Sequence, residues 1–197
     1  KDFYESAIAF GNFQCLLADY PAETLHETIV GFHDTKARFE TFKKVLADDV
    51  CGRADSVKEE VEFVLAHEEL ANVFGDMLAK KEIPLRVTHN DTKLNNIMID
   101  NQTGKGICVI DLDTVMPGTI LYDYGDAVRS IILNCKEDEE DIDKVELNFD
   151  KFDWFNMGFF EVMKESLTLK EKELLIDSII IITLECGMRF LTDYIDG

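Results

Sequence analysis

The chain has 197 residues, with 40 Asp and Glu against 20 Lys and Arg, for a formal charge of −20. Binding to phosphate backbones or anionic lipid needs clustered cations, so this balance excludes nucleic acid and membrane surfaces as partners. Hydrophobic residues, at 46%, are too abundant for a disordered chain and sufficient for one core.

In chain order, Phe3, Ala7, Phe10 and Leu17 recur near every 3.6 residues and predict a helix ending at Tyr20-Pro21. Residues 21–34 read as irregular, with a short helical turn possible over Pro21–Leu25. Thr35 is a candidate cap for a helix from Lys36 to about Ala47, with Phe39, Phe42 and Leu46 on one face. Ser56, with Glu59 three residues on, has the form of a capping box. One long helix is predicted from there to about Lys80, burying Val57, Val61, Val64, Leu65, Leu70, Phe74 and Leu78. After Pro84 the texture turns to β: Leu85–Thr88 is a short strand candidate. Ile97–Ile99 and Ile107–Ile110 flank the polar turn 101–106 and predict a hairpin. The acidic run Lys136–Asp143 predicts a solvated loop or helix edge. Helices are predicted over residues 151–166 and about 170–195, with Trp154, Phe152, Phe155, Phe159 and Phe160 expected in the core. The fold class expected is mainly α with a small β-hairpin cluster, an α+β arrangement.

Several chemistries drop out at this level. The five cysteines contain no C-x-x-C pair and the four histidines no H-E-x-x-H, which argues against disulfides and zinc and for a reducing, cytoplasmic setting. No apolar run approaches the roughly 18–20 residues that span a bilayer. No basic-then-apolar leader opens the chain, and a first residue of Lys rather than Met suggests a piece of a longer protein. No G-x-S-x-G or C/S-x-P-x-R string supports a hydrolase.

The informative stretch is His89-Asn90-Asp91-Thr92-Lys93-Leu94-Asn95-Asn96, followed fifteen residues after Asn96 by Asp111-Leu112-Asp113. Phosphoryl transfer from ATP needs a carboxylate to orient an attacking hydroxyl and oxygen ligands to hold Mg²⁺ against the phosphates. Asp91 suits the first role, and Asn96 with Asp111 the second. Lys93, two residues beyond Asp91, either contacts the transferred phosphoryl group or is a solvated loop lysine. His89 is expected to tie the loop to the following strand.

This pattern resembles the protein-kinase catalytic loop and, more closely, the kinase-like small-molecule phosphotransferases that include aminoglycoside phosphotransferases and choline kinases. Val109-Ile110-Asp111-Leu112-Asp113 is similar to their second motif, and the resemblance makes Asp113 an additional metal ligand. Tyr122-Asp123-Tyr124-Gly125-Asp126 is similar to a later element in which the first Asp opens a helix and braces the catalytic loop, a role that falls to Asp123. Phe32–Thr35, the stretch from Ile110 to Gly118, and Met188–Tyr194 look like N-acetylhexosamine 1-kinases. The resemblance covers nearly all of residues 1–197 as the C-terminal lobe of a protein-kinase-like fold. It implies an amino-terminal lobe outside this chain, without which activity is expected to be absent. It implies ATP as co-substrate and Mg²⁺, an adenine platform at Met98 and Ile110, and a small-molecule sugar acceptor. His33, Asp34, Arg189 and Tyr194 are candidate acceptor contacts. Read from the residues alone, Met98 and Ile110 are strand residues, Asp34 is a cap for the next helix, and Arg189 is an ion-pair partner of Glu185. Choline, homoserine or an aminoglycoside as acceptor, or a non-catalytic binding module of the same fold, are the alternatives.

Overall fold

Four helices precede the strands in the computed structural model, which describes residues 1–135 and 139–197. They are α1 (Asp2–Leu16), α2 (Thr35–Asp48), α3 (Lys58–Ala66) and α4 (Val73–Ala79). The strands follow as β1 (Arg86–Thr88), β2 (Ile97–Ile99), β3 (Gly106–Val109) and β4 (Met116–Gly118). The helices α5 (Ile120–Ile131), α6 (Phe149–Met163) and α7 (Leu169–Asp196) complete the chain. The mainly helical α+β expectation holds. Of the acidic run, residues 136–138 lie outside the described residues, and Ile142–Lys144 forms a short 3₁₀ turn. No helix of the described residues is long and apolar enough to cross a membrane.

The predicted hairpin is present as β2 and β3, antiparallel with Ile97 opposite Val109 and Met98 opposite Cys108. A second antiparallel pair joins β1 to β4, with Val87 opposite Pro117. Strand β4 has no counterpart among the predicted elements. At the edge of a two-stranded sheet the missing proline N–H leaves no ladder position unfilled.

The predicted long helix is instead two. The His67 ring donates from Nδ1 to the Phe63 carbonyl at 2.7 Å, so the His67 backbone N–H turns to Val64 and the chain tightens into a 3₁₀ turn over Glu68–Asn72. The capping box at Ser56 does not form. Ser56 lies inside a 3₁₀ turn, and its hydroxyl donates back to the Arg53 carbonyl. Asp34, not Thr35, caps α2, accepting from Ala37 N at 2.9 Å. Leu65 and Trp154 are exposed rather than buried, 40% and 47% respectively. On α6 the buried stripe runs Phe155, Phe159, Met163 at i, i+4 spacing, which turns Trp154 out of the core.

Two close crossings set the core. Gly125 lets α5 approach α7 so tightly that a Cβ there would sit 2.5 Å from the Ser178 carbonyl oxygen, and Gly158 does the same for α6 on α1. Around α5 the buried cluster joins Leu121, Tyr124 and Val128 to Phe155, Phe159, Met163 and Ile182. A second cluster, with Phe39, Phe42, Val64 and Met188, holds α2 and α3 against α7.

The polar tie between the strands and α7 is Arg86. Its guanidinium donates to both oxygens of the fully buried Glu171 at 2.7 and 2.8 Å and to the Ser166 carbonyl at 2.8 Å. Glu171 also completes a capping box with Thr168 at the start of α7. Arg86→Leu strands a buried carboxylate and is expected to cost about 3 kcal/mol of unfolding free energy, read from the shift of the urea midpoint. An unchanged midpoint would show the pair to be inert.

Candidate active site

Residues 89–96 connect β1 to β2, and their shape is set from outside the loop. Asp123, buried in the first turn of α5, accepts from His89 N at 3.0 Å, Asn90 N at 2.7 Å and Gln14 Nε2 at 2.6 Å. Burial pushes the Asp123 carboxyl above its usual range, and the N–H donors of His89, Asn90 and Gln14 oppose that shift. Asp126, one turn on, accepts from Thr92 N at 2.9 Å and is paired with Arg129 at 3.0 Å. The Thr92 hydroxyl donates to the Asp123 carbonyl. Asp123 thus accepts from the loop on two backbone N–H groups, and Gln14, Thr92 and Asp126 join it as partners that the motif alone does not single out.

His89 is buried between the edges of Phe10 and Phe13. Its Nε2 meets the Ile110 carbonyl at 3.0 Å, and its Nδ1 receives the Asp91 N–H at 3.3 Å. A carbonyl on one side and an amide on the other assign the tautomer: Nε2 carries the proton and Nδ1 accepts. The ring so links the loop to Ile110, just past the end of β3, rather than to the strand that directly follows the loop.

Asp91 is held by one oxygen only. Its Oδ2 accepts from Lys93 Nζ at 2.8 Å and from Asn96 Nδ2 at 2.9 Å, while Oδ1 makes no hydrogen bond among the described residues. The carboxylate is oriented and still has a free acceptor oxygen. The hydrogen bond to Asp91, with the charges of Asp91, Asp111 and Asp126, holds the Lys93 ammonium above the usual lysine range against a partial desolvation.

Asn96 donates from Nδ2 to the Asp91 carbonyl as well, at 2.8 Å. Both donor contacts lie on one side, so the amide oxygen is turned away, and it accepts nothing among the described residues. Asp111 follows directly on Ile110, whose N–H donates to the Asn96 carbonyl at 2.9 Å. Its carboxylate is exposed and makes no hydrogen bond or ion pair among the described residues. Its backbone is left-handed at φ 64°, as is that of Asn90 at φ 65°. For non-glycine residues such conformations are costly and are held only where the surroundings demand them. An amide oxygen and a carboxylate without partners are the hard donors that Mg²⁺ takes, so these residues fit that cation. Asp113 is exposed nearby, with its carbonyl accepting from the Thr28 hydroxyl at 2.8 Å. Among the described residues no three His, Cys, Asp or Glu side chains are gathered around one point. A cation here would rest on two or three protein oxygens and complete its shell from water and phosphate. Met98 and Ile110 stand on the outward face of the hairpin, 50% and 37% exposed.

A cleft of about 100 Å³ opens beside Asp91, bounded by Asn90, His33, Asp126, Arg129 and the α7 residues Glu185 and Arg189. The ion pair between Arg189 and Glu185 does not form. Glu185 is taken by His33 Nδ1 at 2.8 Å, by the Thr35 hydroxyl and, at 3.9 Å, by Arg38. Arg189 is exposed, lies over the Phe190 ring and borders the cleft. His33 stacks on Tyr122, whose phenol burial pushes up. Asp34 caps α2 and borders the adjoining larger cavity. Tyr194 is not brought to Asp91: it packs at the end of α7 under the Arg53 guanidinium, its hydroxyl 3.2 Å from that of Ser56. Asn90 and Glu185 border the cleft without having been anticipated, although an Asn between His and Asp is the residue type that best tolerates a left-handed backbone.

The model of the phosphotransferase enzyme family matches residues 4–160, well over half of the chain. The chain belongs to that family, whose activity is phosphoryl transfer to small molecules.

Glu185 yields a pH test. Burial opposes its charged form, but the hydrogen bonds from His33 and Thr35 and the charges of His33 and Arg38 outweigh burial and hold it below the usual carboxylate range. A carboxylate depressed in the folded state contributes stability above its unfolded value, about 4.3, and loses it as pH falls through the lower folded value. The melting temperature of Glu185→Gln should lie below that of the wild type at pH 7, with the gap closing below about pH 4. A gap that does not change with pH would remove the ion pair from the account.

Proposed function

We propose that this phosphotransferase is an ATP- and Mg²⁺-dependent small-molecule kinase whose acceptor is the anomeric hydroxyl of an N-acetylhexosamine. The observation that carries the reading is the state of Asp91: one oxygen is held by Lys93 and Asn96, and the other is open beside a cleft that Arg189 borders.

The chain's own residues divide the work. Asp91 accepts the hydrogen of the acceptor hydroxyl on Oδ1 and aligns its oxygen for in-line attack, taking the proton as the phosphoryl group transfers. Lys93 holds the Asp91 carboxylate by one oxygen and places a cation beside the transferring group. Asn96 and Asp111, with Asp113 in support, would hold Mg²⁺, which would supply neutralisation of charge on the phosphate oxygens. Met98 and Ile110 form the apolar floor under the adenine. Arg189 and His33 contact the acceptor, Asp34 fixes the start of α2 behind them, and Tyr194 secures the far end of α7. An amino-terminal lobe covers the nucleotide. The sugar reading is favoured over choline by the polar lining beside Asp91, where Asn90, His33 and Arg189 offer hydrogen bonds and no cage of aromatic rings is formed among the described residues.

The decisive experiment is steady-state kinetics of the full-length protein with ATP, Mg²⁺ and a panel of N-acetylhexosamines, choline, homoserine and an aminoglycoside. Asp91→Asn should lower kcat for the preferred acceptor by roughly a hundredfold to ten-thousandfold, with an unchanged KM for ATP. An unchanged kcat would relocate the base. Asn96→Ala should instead raise the Mg²⁺ concentration needed for half-maximal rate, by about tenfold.

A further inference from the structure

The four successive backbone N–H groups around Asp91 are all taken by side chains. His89 N and Asn90 N donate to Asp123 at 3.0 and 2.7 Å, Asp91 N to His89 Nδ1 at 3.3 Å, and Thr92 N to Asp126 Oδ2 at 2.9 Å. The last of these bears most on where Asp91 points. The peptide units on either side of a Cα fix the direction in which its side chain leaves the backbone. The N–H that precedes the Asp91 Cα makes a long bond to a neutral ring nitrogen. The one that follows makes a shorter bond to a carboxylate, which is the stronger kind.

The peptide unit between Asp91 and Thr92 is clamped at both ends. Its carbonyl oxygen accepts from Asn96 Nδ2 at 2.8 Å, and its N–H donates to Asp126. Asn96 also serves the cation in the reading above, whereas Asp126 is given over to the clamp. Its Oδ1 takes Arg129 Nη2 at 3.0 Å, and its Oδ2 also lies 3.4 Å from the Thr92 hydroxyl. Asp126 borders the same cleft as Asp91, but with both oxygens engaged it is no second base. Thr92 is 2% exposed, so its N–H has no water to turn to once Asp126 is removed. Asp126 directly follows Gly125, where α5 is wedged against α7, so the clamp is carried by the core. The competing role is a charge effect, since the charge of Asp126 also reaches Lys93.

We propose that Asp126 is a positioning residue for the transfer: through the Thr92 N–H it sets the direction in which Asp91 meets the acceptor hydroxyl. This rests on the reading of Asp91 as the base. Asp126 acts through Asp91 and not on the acceptor itself.

The test is steady-state kinetics of the full-length protein with ATP, Mg²⁺ and the acceptor panel above, paired with amide hydrogen exchange over residues 90–93. Asp126→Ala and Asp126→Leu accept no hydrogen bond. Each should lower kcat by roughly tenfold to a hundredfold and leave KM for ATP unchanged. Asp126→Asn should recover most of that loss. Its one acceptor oxygen goes to the buried Thr92 N–H, because the Arg129 side chain, 19% exposed, reaches water. A role through charge predicts instead that Asp126→Asn is as slow as Asp126→Ala. In an Asp91→Asn background, Asp126→Ala should cost nothing further, since nothing is left to position. The Thr92 amide should exchange at least about tenfold faster in Asp126→Ala, with β1 unchanged. An unchanged kcat in the Ala and Leu variants, equal losses in Ala and Asn, an undiminished loss in the Asp91→Asn background, or unchanged exchange would each overturn the inference. Failure of both the Ala and Leu variants to fold would make Asp126 a scaffold group and overturn it as well. The two readings fail differently. Retained turnover in Asp91→Asn, or no turnover of any acceptor by the wild type, removes the premise and this inference with it. A slow Asp91→Asn beside an unaffected Asp126→Ala removes Asp126 alone.

Discussion

The carboxyl group of Asp123 has almost no water around it, and three N–H groups from two separate parts of the chain converge on its oxygens. A buried carboxyl cannot be left without donors, so the loop that supplies two of them is bound to follow wherever the first turn of α5 goes. That turn is itself wedged against α7 at Gly125, where no side chain larger than hydrogen fits. The positions of Asp91 and Asn96 are thus inherited from a helix crossing in the core. Gln14 adds α1 to the same point, so that the helices before and after the strands are joined through one carboxyl group.

What surrounds Asp91 separates holding from reacting. His89 and Thr92 are buried and spend their polar atoms on the scaffold, and the buried Asn90 gives it its backbone N–H and its Nδ2. Asp91, Lys93, Asn96 and Asp111 keep at least one reactive atom turned outward. The two left-handed non-glycine residues of this region, Asn90 and Asp111, flank that group. Strain of this kind persists where neighbouring contacts over-determine the backbone, and here the contacts are Asp123 on one side and the end of β3 on the other. The excess negative charge has a local expression as well. Carboxylates line the larger cavity, while guanidinium groups from Arg38, Arg129 and Arg189 gather at the smaller cleft.

The chain's order of residues by itself determined the loop and its chemistry. Eight contiguous positions, from His89 to Asn96, set which side chains can meet, and the hairpin that returns Asp111 to Asn96 is announced by alternating strands around a polar turn. Asp123 was singled out by the resemblance of Tyr122–Asp126 to a family element, and its carboxylate also suits a helix start. Periodicity also recovered α1, α2, α6 and α7 nearly to their ends. Tertiary structure alone decided what distant residues do to one another. His67 broke a helix by taking the Phe63 carbonyl, Pro117 joined a strand because that strand is an edge, and Glu185 chose His33, Thr35 and Arg38 over Arg189 one turn away. Tyr194, adjacent in sequence to the α7 residues that border the cleft, was carried away from it by the length of the helix. Local spacing constrains neighbours within a turn or a hairpin, whereas pairings across the molecule depend on how helices cross, and that is fixed by shape and burial summed over the whole core.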